Sequence, residues 1–232
     1  MDYFYTPPAF ITPHDVTIEG DEFAHLTHVM RKEPGDAIRV VDGLGTAYDV
    51  TLTEIRKRSA HGTIGAVLPH HGEPGIDVRL GVGVLKNPAR FDFLVEKGTE
   101  LGVRSIVPLT TERTITHHAK QDRWQKLALA AMKQCGRSYL PRVEELMELD
   151  AFLEMCGTTD ERLIAHEKAP IDARPSISTT SRSIGLLVGP EGGFSDEEVE
   201  RCLGAGFRQI NLGVRRLRTE TAVVAMLSRL GA

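Results

Sequence analysis

The rhythm of apolar residues changes once along the chain, at the turn-rich segment His70-His71-Gly72-Glu73-Pro74-Gly75, and this change divides the sequence into two kinds of structure. Upstream, β-rich runs at 37–42, 46–52 and 62–68 are separated by glycine or charged turns, the pattern of a small β-domain. One helix interrupts them. Residues 21–31 place Phe23, Leu26, Val29 and Met30 at helical spacing and stop before Pro34-Gly35, as a helix end requires. Downstream, strands expected at 78–85, 105–109, 162–166, 183–189 and 208–212 alternate with helices at 90–101 and 122–136, and with helices beginning near Ser195 and Thr219. Alternation of this kind predicts a mostly parallel sheet covered by helices on both faces. Ligands of such sheets sit at the carboxyl ends of the strands.

Charge marks the same boundary. The 232 residues carry a net charge of −4, and this divides into −5 for residues 1–74 and +1 for residues 75–232. The expected domains are therefore 1–74 and 75–232. With 41% hydrophobic residues the chain has enough apolar surface to bury, which excludes a disordered protein. A slightly acidic total argues against a non-specific nucleic-acid coat but leaves room for a local basic site. No run approaches the roughly 20 apolar residues of a membrane helix, and the start Met1-Asp2-Tyr3-Phe4 is unlike a secretion signal, so a cytoplasmic protein with no membrane partner is expected. Cys135, Cys156 and Cys202 are far apart and form neither a disulfide framework nor a thiolate metal site. The pairs His25/His28, His70-His71 and His117-His118 lack a third ligand and read as surface or packing residues, and Trp124 as a packing residue of its helix.

Two segments concentrate chemistry. In Leu186-Leu187-Val188-Gly189-Pro190-Glu191-Gly192-Gly193-Phe194-Ser195-Asp196-Glu197-Glu198, a buried strand runs into a glycine loop and then into a capping box formed by Ser195 and Glu198. Such a loop is either a tight strand-to-helix turn or a cradle whose main chain approaches a ligand. Glu191 would repel phosphate, and the loop is neither a Walker motif nor a dinucleotide fingerprint. The second segment, Ile210-Asn211-Leu212-Gly213-Val214-Arg215-Arg216-Leu217-Arg218-Thr219-Glu220-Thr221-Ala222, has the same strand–loop–helix layout. Its three arginines read as solvated surface, as partners of Glu220, or as contacts to an RNA phosphate or an anionic base.

Together these segments resemble the RsmE family, SPOUT-type methyltransferases that modify N3 of a uridine, uridine 1498, in 16S ribosomal RNA. Three more stretches agree in order: His25-Leu26-Thr27-His28-Val29-Met30-Arg31, Glu96-Lys97-Gly98-Thr99-Glu100-Leu101-Gly102-Val103 with Ile106 to Arg113, and Gln134-Cys135-Gly136-Arg137-Ser138. The resemblance implies a PUA-like β-barrel for RNA and a trefoil-knotted α/β domain that binds S-adenosylmethionine. It also implies a homodimer acting on 16S rRNA within the small ribosomal subunit. It places Leu187, Gly189, Glu191, Gly192, Leu212, Gly213, Leu217, Thr219, Thr221 and Ala222 in or near the cofactor loops. Arg31, Lys32, Arg137, Arg215 and Arg216 become candidate RNA contacts, with helix-dipole compensation as the alternative for Arg137. The chain departs from the family at Lys133, where Glu is common, at Val214, where Pro is common, at Arg216, where an aliphatic residue is usual, and at its start, where an Arg often precedes the first aromatic pair.

N3 of uridine must lose a proton to attack a sulfonium methyl, and the resulting anion calls for a nearby cation. Arg218 is the candidate to stabilise this anion or a flanking phosphate, with Glu220 or Glu191 orienting donors or accepting the proton. Two other readings stand beside it. A ribose 2′-O-methyltransferase of the SpoU type would carry Ser-Leu-Asn where this chain has Leu217 to Ala222, and a non-catalytic ribosome-assembly factor would not need the glycine loops.

Overall fold

The computed structural model describes residues 2–116 and 119–230; His117 and His118 lie outside the described residues. The chain forms two compact units. One comprises Met1–Glu73 with Met132–Leu140, the other Pro74–Ala131 with Pro141–Ala232.

In the first unit, β1 (Tyr3–Tyr5), β2 (Asp15–Glu19), β3 (Ala37–Val41), β4 (Thr46–Ile55) and β5 (Ser59–Pro69) form one sheet in the order β1-β3-β4-β5-β2. β1 runs parallel to β3, and the other pairs are antiparallel. Every strand sends a side chain into one core: Phe4, Val16, Ile18, Ile38, Val40, Val50, Leu52 and Ala60, closed by Leu26. A five-stranded sheet can share a single core only by curling around it, which gives the barrel-like unit that the β-rich runs predict. β1 and β2 were not legible as strands, because three residues and five residues with a mixed pattern carry too little periodicity.

The expected helix at 21–31 is shorter and irregular. An α-helical turn, α1 (Gly20–Ala24), continues as a π-helix over His25–Val29, with Met30 N–H donating to His25 O at 3.0 Å. The Thr27 hydroxyl donates to Phe23 O at 2.8 Å, competing with the main chain for that acceptor. Arg31 then ends the helix in the left-handed region at φ 51, a place glycine usually takes.

The second unit is built from β6 (Asp77–Gly83), α2 (Pro88–Glu100), β7 (Ser105–Thr110), α3 (Gln121–Cys135, whose last turn belongs to the first unit), β8 (Arg142–Val143), β9 (Met147–Glu148), α4 (Leu149–Met155), β10 (Glu161–Ala165), β11 (Ser183–Val188), α5 (Asp196–Gly204), β12 (Arg208–Ile210) and α6 (Thr219–Leu230). Its sheet has the order β12-β10-β11-β6-β7-β8, with β9 also on β7. All of its ladders are parallel. On one face Leu149, Phe152 and Leu153 of α4 and Val199 and Cys202 of α5 pack against Val107, Leu109, Ile164 and Leu187. On the other face α6 packs on α2 and β11. α2 begins where Asn87 accepts a hydrogen bond from Ala89 N–H and Pro88 takes the first position, and it buries Phe91, Leu94, Val95 and Gly98. Trp124 stacks on Phe91 at 4.1 Å between centroids, and its indole N–H donates to Asp92. Burial pushes the Cys156 and Cys202 thiols up to about 12, so both serve as apolar filler. Among the described residues no helix is long and apolar enough to cross a membrane.

Gly83, the last residue of β6, lets the loop after β11 lie against the sheet: a Cβ there would stand 2.6 Å from Pro190 N. Gly83→Ala is expected to lower stability by about 1–3 kcal/mol through overpacking. A lower midpoint in urea denaturation, with Gly75→Ala unchanged as control because its Cβ would meet nothing within 4 Å, checks this.

Candidate functional site

Three loops leave the carboxyl ends of the neighbouring strands β10, β11 and β12 and enclose a cleft of about 370 Å³. The main chain is tied across all three. His166 N–H donates to Ile210 O at 3.1 Å; Asn211 donates through Nδ2 to Ala169 O at 2.7 Å and accepts from Gly213 N–H at 2.8 Å; the Thr219 hydroxyl donates to Gly189 O at 3.1 Å. Gly189 is required by close approach, since its Cβ would lie 3.0 Å from the main chain of Gly193. The capping box predicted for α5 is present: Ser195 N–H donates to Glu198 at 2.8 Å, and Glu198 N–H to the Ser195 hydroxyl at 3.3 Å. Glu198 also accepts from Glu112 N–H at 2.8 Å, so this buried carboxylate is spent on structure.

Of the residues nominated from sequence, Gly189, Glu191, Gly192, Leu212, Gly213, Leu217, Thr219 and Ala222 line the cleft, with Arg215, Arg216 and Arg218. Two do not. Leu187 is wholly buried in the core beneath α5, because alternate residues of β11 face opposite sides of the sheet. Thr221 is exposed on α6, one position before the lining residue Ala222. Glu220 is buried beside the cleft and reaches it through an ion pair with Arg90.

Arg90 was not legible from sequence, where it is one cation in the first turn of a helix. It organises the cleft wall. Its Nη2 and Nε donate to Glu220 Oε2 at 2.6 and 3.0 Å, and its Nη1 donates to Glu191 Oε1 at 3.1 Å. Burial pushes the Glu220 carboxyl up, but the hydrogen bonds from Arg90, a main-chain amide and the charges of Arg90 and Arg218 outweigh it and hold the group below its ordinary value. Other lining residues not nominated from sequence include Arg113, which donates to Gly192 O at 2.9 Å, His166, whose Nδ1 is buried with no hydrogen-bond partner among the described residues, and Asn211. Arg218 is exposed and stands outside any ion pair among the described residues, whereas Arg216 lies 3.5 Å from Glu167.

In the first unit the RNA nominations divide. Arg31 is exposed, and Lys32 pairs with Asp2 at 2.8 Å. Arg137 is not a surface cation: it is 3% exposed, and its guanidinium holds Glu73 at 2.7 Å, while the same carboxylate accepts from Ser138 and Tyr139 N–H at 2.9 and 2.8 Å. The departure at Lys133 is balanced locally by an ion pair with Glu22, which also accepts from Tyr5 N–H. Val214 is 84% exposed, so nothing packs where relatives carry proline.

A curled β-unit joined to a parallel α/β unit with a cleft of glycine loops is the organisation of an RNA methyltransferase carrying a PUA domain. The family model for the RNA methyltransferase domain matches residues 72–231, and that for the RNA methyltransferase PUA domain matches residues 18–65. The ribosomal RNA small subunit methyltransferase E of Synechocystis is 30% identical over 97% of this chain and 75% of its own. The crystal structure of the enzyme of that name from Neisseria gonorrhoeae, bound to S-adenosyl methionine, is 31% identical with a TM-score of 0.85, covering 99% of this chain and 96% of that one. A Legionella pneumophila structure in complex with the same cofactor is 29% identical with a TM-score of 0.84, covering 98% and 95%. The chain belongs to the ribosomal RNA small subunit methyltransferase E family.

Because Glu220 is held below its ordinary value of 4.5 in the fold, its contribution to stability is complete above that pH and is lost as pH falls through the lowered value. Glu220→Gln is expected to lower stability at neutral pH and to flatten the acid limb below about pH 4.5. Urea midpoints measured across that range check the sign.

Proposed function

We propose that this protein transfers a methyl group from S-adenosylmethionine to N3 of a uridine in small-subunit ribosomal RNA, uridine 1498 by resemblance, and that it does so as a homodimer. The observation that carries the reading is the cleft, walled by main-chain groups of three loops and lined by Arg218, which is exposed and in no ion pair among the described residues. Its volume lies in the range of about 300–1,000 Å³ typical of small-molecule pockets.

The donor set fits the cofactor. The main-chain N–H groups of Leu212 and Leu217 donate to nothing among the described residues and suit a ligand's acceptors. Glu191 and Glu220, paired with Arg90, place carboxylate oxygens at the wall, which suit a sulfonium. The cofactor supplies an electrophilic methyl group. Arg218 stabilises the negative charge that develops on the uracil carbonyl oxygens, a role worth roughly 10²–10³ in rate for a well-placed donor. Arg215 and Arg216 hold flanking phosphates, and Arg31 contributes from the first unit, which serves as an RNA platform.

Arg218→Ala is expected to slow methyl transfer about 100-fold while calorimetry shows the affinity for S-adenosylmethionine little changed; unchanged turnover removes Arg218 from the chemistry. The double variant Arg215→Ala/Arg216→Ala is expected to raise KM for RNA and to lower the slope of log affinity against log salt by about 1.4, the value for two single-strand phosphate contacts. Mass-spectrometric mapping of small-subunit rRNA from cells with and without the gene tests the reading as a whole. A missing N3-methyluridine is the expected result, and a missing ribose methyl in its place would overturn it.

A further inference from the structure

Arg90 joins two carboxylates that the chain supplies from separate segments. Glu191 follows β11 and Glu220 opens α6, yet both lie within hydrogen-bond reach of one guanidinium at the start of α2. Glu191 Oε1 accepts a further hydrogen bond from Lys86 N–H at 3.2 Å. Every side-chain hydrogen bond these two carboxylates make comes from a donor. A carboxyl group that is to hold a proton needs an acceptor for its O–H, whereas one ringed by donors is favoured as the anion. The charged groups acting on Glu220 are Arg90 from α2 and Arg218 from the loop before α6, and Arg90 also meets Glu191.

We infer that Arg90 is a positioning residue that engages both Glu191 and Glu220 at the cleft wall, so that the uridine N3 proton leaves to solvent and not to either carboxylate. The inference rests on the N3-methylation reading above. The proton passes from N3 to water or hydroxide. The N3 electron pair then forms the bond to the methyl carbon as the carbon–sulfur bond breaks, and that pair stays on sulfur, which departs as a neutral thioether. Both glutamates finish the cycle as they began it. Arginine suits the position because its planar fork serves two carboxylates at once, a geometry that lysine's point charge does not reproduce. Without the guanidinium Glu220 would lose its side-chain donor at a buried position, and burial favours its proton uptake.

Single-turnover methylation of small-subunit RNA by the full chain, across about pH 6 to 9, tests this. Proton loss to solvent predicts a rate rising about tenfold per pH unit while N3 remains mainly protonated. Glu191→Gln and Glu220→Gln are expected to keep that slope, whatever their absolute rates. Arg90→Met is expected to be about 100-fold slower at neutral pH and to acquire an extra ionisation that disappears when Glu220→Gln is added; Arg90→Lys should recover part of the rate. A wild-type rate that is flat over this range, with a slope appearing in Glu191→Gln or Glu220→Gln, would identify that carboxylate as the proton acceptor and overturn the inference. So would an Arg90→Met enzyme with the wild-type rate and profile. If Arg90→Met does not fold, the wild-type and glutamine-variant slopes still decide. Should the wild type methylate some other atom, the functional reading fails by itself. Carbon-13 shifts of labelled glutamate then decide the ion bridge, with the Glu220 carboxylate expected to persist below its ordinary value of 4.5 and a protonated Glu220 side chain above that pH overturning it.

Discussion

Strand β11 lies between β6 and β10 in the parallel sheet, and the geometry of the cleft depends on that placement. Because β12, β10 and β11 are consecutive neighbours, the loops leaving their carboxyl ends converge without any long excursion. Because β6 is the neighbour on the other side, the helix that follows it delivers Arg90 to the same wall. Ladder hydrogen bonds thus bring together residues that are 101 and 130 positions apart along the chain. The contact of Gly83 with Pro190 is the tightest expression of this arrangement, since it permits no side chain between the end of β6 and the loop after β11.

Charge is used differently in the two units. In the first, most cations are consumed internally: Lys32 by Asp2, Arg39 by Asp49, Arg56 by Glu54, Lys133 by Glu22 and Arg137 by Glu73. Only Arg31, Lys57 and Arg58 stand outside ion pairs among the described Lys and Arg residues of that unit. An acidic platform can still meet RNA through single placed side chains, although its long-range field does not attract the polymer. Around the cleft of the second unit the balance reverses, with Arg113, Arg215 and Arg218 in no ion pair among the described residues.

Periodicity made the longer elements of the second unit legible, because buried parallel strands and amphipathic helices write strong patterns, whereas the two-residue strands β8 and β9 and the seven-residue α4 went unread. The curled sheet was legible only in its longer strands, and the π-helical stretch at His25–Val29 not at all, since it depends on where one hydroxyl finds an acceptor. For the site, glycines and arginines at strand ends pointed to the loops that wall the cleft. Which way a side chain faces was less accessible: Leu187 and Thr221, nominated by resemblance, lie off the cleft, and Arg137, a candidate RNA contact or helix-dipole cation, is buried against Glu73. Arg90 escaped notice for a related reason. Its importance comes from two partners more than a hundred residues away, and no local pattern encodes such a pairing.

The chain enters the second unit at Pro74, leaves it at Met132 to complete the first, and returns at Pro141. During synthesis, then, the barrel-like unit waits for about sixty further residues before Arg137 arrives to neutralise Glu73 and the main chain of Ser138 and Tyr139 closes on that carboxylate. A fragment cut after Glu73 would keep a carboxylate stripped of all these donors, so a cut at the boundary that composition marks in the sequence would part Glu73 from the segment that closes on it.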